Sequence, residues 1–381
     1  MTDDVKTLRN QARSAYNLGQ AEQAIKLQQS LIQQQAQDSG KVPLADYRQL
    51  AFFLLAVKRP AEAVSVLKPV VSARPDNADL RSILGLCYTN LKQYNDAEPH
   101  LRGALEIDQD CFLAADQLAR CYLGSGQLEK AKRAGETALA IKDRLYAAND
   151  TVRIIEAVPP YDEASKRGKV IAFSLWGQDS RYLDGAVRNC ELAAELYPGW
   201  QCRFYLDDSV PQHVVENLGA RGADVRRMPT RKHLYEGLFW RFRVVSDTKI
   251  SRFLIRDCDA VVNVKERVAV EQWLHSDKHF HVMRDYFTHT DLVMAGMWGG
   301  VTGVIPDIEK LIEGFLQKHI QSRVMDQVFL NECLWSIIRQ SCLIHDRCFD
   351  AYQTQAYPAY CELPPGRHIG QDESAVRRTR D

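Results

Sequence analysis

Over the first 150 residues, small and bulky apolar positions recur at helical spacing with polar residues between them. Ala63, Ala97 and Ala131 stand 34 residues apart, twice in succession. Twelve residues before each comes another small residue, Ala51, Gly85 and Ala119, and nine before each a bulky one, Leu54, Tyr88 and Tyr122. Ala12, Ala15, Gly19 and Ala24 keep the same internal spacing, but Ala24 precedes Ala63 by 39 residues. The extra five fall in the polar stretch 34–42, which reads as a longer connector. The spacing predicts four two-helix repeats, eight helices in all, each burying its apolar face only against a neighbour. Pro75 falls where a helix stop is expected. From Lys169 the pattern changes. Val170-Ile171-Ala172-Phe173-Ser174-Leu175-Trp176 is a short apolar run closed by Gly177, which reads as a buried strand. A helical stretch over 183–196 follows, with Ala186, Cys190, Ala193, Ala194 and Tyr197 on one stripe. Cys202-Arg203-Phe204-Tyr205-Leu206 reads as a second strand, 213–218 as a helix and 222–225 as a weaker third strand. This alternation predicts an α/β region with a mostly parallel sheet, whose ligands belong at the carboxyl ends of the strands.

The change of pattern sets the domain expectation: helical repeats over 1–150, a linker over 151–168, an α/β domain over 169–370 and a polar tail over 371–381. Residues 152–155 read as the close of the last helical stretch. Val158-Pro159-Pro160-Tyr161-Asp162-Glu163 reads as a turn. The 34-residue period, with small residues where paired helices cross, resembles the tetratricopeptide repeat. That resemblance implies a concave surface for a peptide or protein partner, or a scaffold for packing or self-association.

Composition narrows the classes. Lys+Arg and Asp+Glu both number 49, so the net charge is zero and no global field favours nucleic acid. Acidic residues follow Met1 where a signal peptide needs positive charge, and no apolar run reaches the roughly 18–20 residues of a transmembrane segment. The ten cysteines show neither a CxxC pair nor zinc-like spacing, as for reduced thiols. The expectation is a cytoplasmic protein with no nucleic-acid partner.

The candidate chemistry centres on Arg252-Phe253-Leu254-Ile255-Arg256-Asp257-Cys258-Asp259. An apolar strand ends in carboxylates at i and i+2, which point the same way on extended chain. Hard oxygen ligands suit Mn²⁺ or Mg²⁺, and such ions also bind substrate phosphates. A strand-end DxD about 85 residues after the first strand of an α/β region resembles the GT-A class of glycosyltransferases. The ordered strings RDxD (256–259), HxMRD (281–285) and GMWG (296–299) resemble a bacterial branch of that class. The resemblance covers 169–370 and implies a nucleoside-diphosphate sugar as donor and a glycan or protein acceptor. It places Phe173, Ser174 and Trp176 at the nucleotide, Arg241 near the donor phosphates, and Asp257 and Asp259 at the metal. Trp298 and Gly299 would contact the sugar. Asp285 would recognise the donor sugar or act as base, and Asp326, in Met325-Asp326-Gln327, would bind sugar hydroxyls or position the acceptor. His345 and His368 are candidates for a late histidine on the metal.

Two other readings stay open at this stage. One is a tetratricopeptide adaptor whose α/β half binds a nucleotide-sugar without catalysis. The other is a metal-dependent nucleotidyltransferase or phosphohydrolase. A nucleotidyltransferase would want a Gly-rich basic loop after the first strand, and Gly177-Gln178-Asp179-Ser180-Arg181 supplies one glycine and one arginine.

Overall fold

A computed structural model describes residues 3–148, 152–154, 156–162, 168–320 and 322–373. The chain divides into two compact units, Met1–Leu145 and Tyr146–Asp381. Residues 149–150 of the expected repeat region, 163–167 of the expected linker and 374–381 of the expected tail lie outside the described residues.

The first unit contains eight helices among its described residues: α1 (Asp3–Asn17), α2 (Ala21–Ser39), α3 (Leu44–Ala56), α4 (Pro60–Ala73), α5 (Ala78–Asn90), α6 (Tyr94–Ile107), α7 (Phe112–Gly124) and α8 (Leu128–Tyr146). Pro60 opens α4, where its missing N–H costs nothing. The Asn77 side chain caps α5 by accepting from the Leu80 amide at 2.8 Å. Ala51, Ala63, Ala97, Ala119 and Ala131 are wholly buried. At Gly85 a Cβ would collide with Leu101. Helices paired this closely leave no room for larger side chains.

The turn inside each pair repeats as well. Lys58, Lys92 and Gly126, spaced by 34 residues, all take left-handed backbone (φ 60, 59 and 76°), as does Gly19 (φ 80°). After each, one amide bonds back to the helix at 2.8–2.9 Å: Arg59 to Leu54, Gln93 to Tyr88, Gln127 to Tyr122 and Gln20 to Ala15. The five extra residues of the first repeat do not lengthen a connector. They extend α2, which has 19 residues against 14 in α4. Residues 152–154 are not helical; the last helix ends at Tyr146.

The second unit contains β1 (Gly168–Leu175), α9 (Ser180–Leu196), β2 (Trp200–Leu206), α10 (Gln212–Ala220), β3 (Asp224–Arg227), a 3₁₀ stretch (Glu236–Ser246), β4 (Ile250–Arg256), α11 (Val264–Leu274), β5 (Phe280–Arg284), β6 (Met297–Val301), α12 (Ile308–Lys318), α13 (Met325–Phe329), β7 (Cys342–Asp346) and β8 (Thr354–Gln355). The described strands form one sheet in the order β3-β2-β1-β4-β6-β5-β7-β8. All pair in parallel except β6, which runs against both β4 and β5. The sheet is therefore mixed. Residues 260–263 contribute a single bridge between Ala260 and Asp372. Asn263 caps α11 by accepting from the Glu266 amide.

Phe173, Phe204, Tyr197, Val270 and Trp273 form the core between the sheet and helices α9 and α11. All ten cysteines are free thiols. Among the described residues no helix is long and apolar enough to cross a membrane.

Candidate active site

After β1 the chain adds β2 and β3 on one side, then returns to place β4 on the other side of β1. The reversal leaves a crevice at the carboxyl ends of β1 and β4, where open α/β sheets bind ligands. Ser174 and Trp176 stand at the end of β1; Asp257 and Asp259 follow the end of β4. They line a cavity of about 380 Å³ together with Tyr182, Arg241, Arg323 and Asp326. Because β6 is antiparallel, its first residue Met297 pairs with Arg256, and Gly296 lies beside the Asp257 carboxylate. A Cβ at Gly296 would occupy the place of that carboxylate.

Arg241 ties the site together. Its guanidinium is buried, and donates through Nη1 to Asp257 and to the Arg256 carbonyl (3.0 Å) and through Nη2 to Asp326 (2.8 Å). Its backbone amide donates to Ser174 Oγ at 3.0 Å. Hence one arginine joins the end of β1, the end of β4 and the start of α13. Two of the carboxylates are held above their usual range. Burial, then the neighbouring Asp257, push Asp259 up to about 6. Burial also pushes Asp326 up to about 6 although Arg241 opposes it. Arg181 faces Asp259 at 3.8 Å and Asp372 at 3.2 Å. Gln327, beside Asp326, accepts from the Ala295 amide at 3.1 Å and fixes the segment leading into β6.

Of the residues read from the sequence, Ser174, Trp176, Arg241, Asp257, Asp259 and Asp326 come together. The others do not. Phe173 stacks on Phe204 at 4.8 Å in the core, because successive strand residues face opposite sides. Trp298 and Gly299 are interior residues of β6, not a sugar-facing loop. Trp298 is wholly buried edge-on to Phe253, and Gly299 gives the Phe253 carbonyl room to pass. Asp285 is also wholly buried. It pairs with Lys265 (2.8 Å) and Arg347 (3.1 Å) and accepts from the Ile369 amide (2.8 Å), so it has no open face from which to act as base. Arg284, its neighbour in the chain, pairs with Asp346. His345 on β7 is held between His281 (2.9 Å) and the Gln272 side chain (2.7 Å). His368 stacks on Tyr286 at 4.3 Å. Neither histidine lines the cavity, and among the described residues no three His, Cys, Asp or Glu side chains are gathered as a metal cage.

Tyr182, Asn189 and Arg323 escaped the sequence reading, and Arg181 entered it only as the one arginine of the loop after the first strand. Asn189 alone carried a signal: it is a polar residue inside the apolar stripe Ala186–Cys190–Ala193. The other three are polar residues at helix starts or in loops, as most surface residues are.

The tetratricopeptide repeat family matches residues 54–118. The helical unit carries tetratricopeptide repeats. No curated protein matches the chain. Among solved structures, MamA from Desulfovibrio magneticus is 24% identical, with 37% of this chain and 77% of that one covered and a TM-score of 0.33. A mutant O-GlcNAc transferase of Thermobaculum terrenum is 17% identical, with 67% of this chain and 47% of that one covered and a TM-score of 0.46. A thermophilic tetratricopeptide protein of Thermus thermophilus is 19% identical, with 36% and 75% covered and a TM-score of 0.32.

Proposed function

We propose that the sheet unit is a GT-A glycosyltransferase domain that moves a sugar from a nucleoside-diphosphate donor to a hydroxyl of a glycan or protein. In this reading the tetratricopeptide unit serves acceptor or partner binding, or self-association. The observation that carries the proposal is the meeting of Asp257 and Asp259 with Ser174, Trp176 and Arg241 at the point where the strand order reverses. A substrate phosphate needs cations there, and an aromatic face suits a base or a sugar ring.

The residues present fit a hard divalent ion. Asp257 and Asp259 offer carboxylate oxygens, and among the described residues no third His, Cys, Asp or Glu side chain joins them; burial, then the neighbouring Asp257, hold Asp259 above the usual carboxylate range. Mg²⁺ and Mn²⁺ are commonly held by one or two carboxylates plus substrate phosphates. When bound, such an ion would neutralise charge on the departing diphosphate.

The chain's own residues supply the rest. Arg241 fixes the direction of Asp257 and holds Asp326 against the cavity wall. In this reading Asp326, which lines the cavity, meets sugar hydroxyls or an incoming acceptor, a role open to it and not to Asp285, which is sealed in ion pairs. Arg323, on the same wall, adds positive charge for an anionic ligand.

A melting screen with UDP-, GDP-, CMP- and dTDP-sugars, each with and without Mn²⁺, tests the reading. A ligand at about 100 times its Kd adds roughly 2.7 kcal/mol. One donor class is expected to raise the melting temperature further with Mn²⁺ than without it, and Asp259→Ala is expected to abolish that Mn²⁺-dependent gain and sugar transfer while keeping the fold. Cooperative melting with no shift from any donor would sink the proposal, as would a folded Asp259→Ala protein that transfers sugar normally.

A further inference from the structure

The acids after β4 are not positioned by the strand itself. Asp257 to Val262 leave the sheet as a loop, and helix α9 packs directly on it. A Cβ at Gly185 would collide with the Cys258 carbonyl oxygen, so the helix backbone and the loop backbone touch. One turn further along α9, Asn189 is wholly buried. Its Nδ2 donates to the carbonyls of Cys258 (3.3 Å) and Ala260 (3.2 Å) and to Gly185 of its own helix (2.9 Å). Its Oδ1 accepts from the Val262 amide at 3.0 Å.

These bonds bracket Asp259. The carbonyl before it and the carbonyl after it are both held by the Asn189 amide. Its own carbonyl accepts from the Glu373 amide at 3.0 Å, beside the Ala260–Asp372 bridge. Three successive peptide planes are thus pinned, two by a single side chain, and their orientation sets where the Asp259 carboxylate points relative to Asp257. A fully bonded buried amide that touches only backbone has no solvent or ligand contact of its own, so any part it plays at the site is exerted through the loop.

We propose that Asn189 is a positioning residue that sets the separation of the Asp257 and Asp259 carboxylates for a divalent cation. The proposal rests on the metal reading of this site. Residues that orient metal ligands typically change affinity by about 10- to 100-fold when removed.

The experiment is Mn²⁺ titration of the full chain, with free Mn²⁺ followed by electron paramagnetic resonance, alone and with UDP or GDP. Asn189→Ala is expected to weaken Mn²⁺ binding by about tenfold or more. Nucleotide binding in EDTA should stay within about twofold of the wild type, a split that simple loss of stability would not produce. Asn189→Ser, which keeps a donor and an acceptor on a shorter arm, is expected to fall between the two. Should Asn189→Ala fail to fold, Gly185→Ala displaces the same carbonyl from the same helix and is expected to weaken Mn²⁺ in the same direction. A wild-type protein that takes up no Mn²⁺ under any of these conditions overturns the metal site itself. Uptake by the wild type with equal uptake by the folded variants overturns only the role of Asn189.

Discussion

In the tetratricopeptide unit the residues meeting at the helix crossings are alanine and glycine, and buried charge is confined to a few positions such as Asp46 and Lys142. The sheet unit buries Arg241, Arg256, Lys265, Glu266, Arg284, Asp285, Asp326 and Asp346. The first unit is specified by size at repeated positions. The second carries a web of paired charges at and beside the carboxyl ends of its strands: Arg241 with Asp257 and Asp326, Arg256 with Glu266, Lys265 with Asp285, Arg284 with Asp346. Buried ion pairs are a poor source of net stability, because desolvation offsets much of the attraction. Their concentration in one unit marks an interior that is costly to build, and of these pairs only the Arg241 cluster opens onto the cavity.

Breaking one of those pairs should give the largest effect. Lys265→Met leaves Asp285 with Arg347 as its remaining cationic partner in an otherwise closed site. The expected loss is about 3–5 kcal/mol in urea denaturation. A loss below about 1 kcal/mol would mean that the pair is far less desolvated than its burial implies.

Acid should act on the same unit. Burial pushes His345 down to about 4, and His281, which it touches, well below its usual range. Between pH 6.5 and 4 the unfolded chain therefore holds protons on these rings that the folded chain refuses. Stability is present above that window and is lost as the pH falls through it. His345 by itself accounts for about 3 kcal/mol, and His345→Gln should flatten the profile of urea midpoint against pH. An unchanged slope in that variant would show that His345 is protonated in the fold.

The repeat unit should respond to size and not to charge. Ala97→Leu puts a large side chain at a crossing with no free space and should cost about 1–3 kcal/mol. Little or no loss would mean that the helices can separate, against the reading that small residues set their approach. The smallest effect runs the other way. Lys92 holds a left-handed turn conformation that a side chain disfavours by about 1 kcal/mol, a cost that its counterpart Gly126, equally left-handed, does not bear. Lys92→Gly should be neutral to stabilising by up to about 0.6 kcal/mol, less than the strain relieved because glycine gains freedom in the unfolded chain. A clear loss would assign Lys92 a contact that outweighs the strain.

The sequence by itself determined the 34-residue repeat, the alternation of strands and helices, and the acids following the fourth strand. Each is a local pattern: helical and strand periodicity, and the spacing of small residues, depend on neighbours a few positions away. Even there the pattern had a limit, since a five-residue insertion looks alike as loop or as the extra turn that α2 makes of it. Only the tertiary structure decided which polar groups share a cavity. Met297–Val301 became an interior strand because it slots between β4 and β5, which buried Trp298 and Gly299. Asp285 and Asp326 are both acids near the ends of apolar segments, yet one is sealed by Lys265 and Arg347 while the other lines the crevice. Asn189 acquired its place only when α9 came to rest on the loop after β4. In each case the outcome turns on contacts between segments 16 to 85 residues apart, and no local periodicity encodes that register.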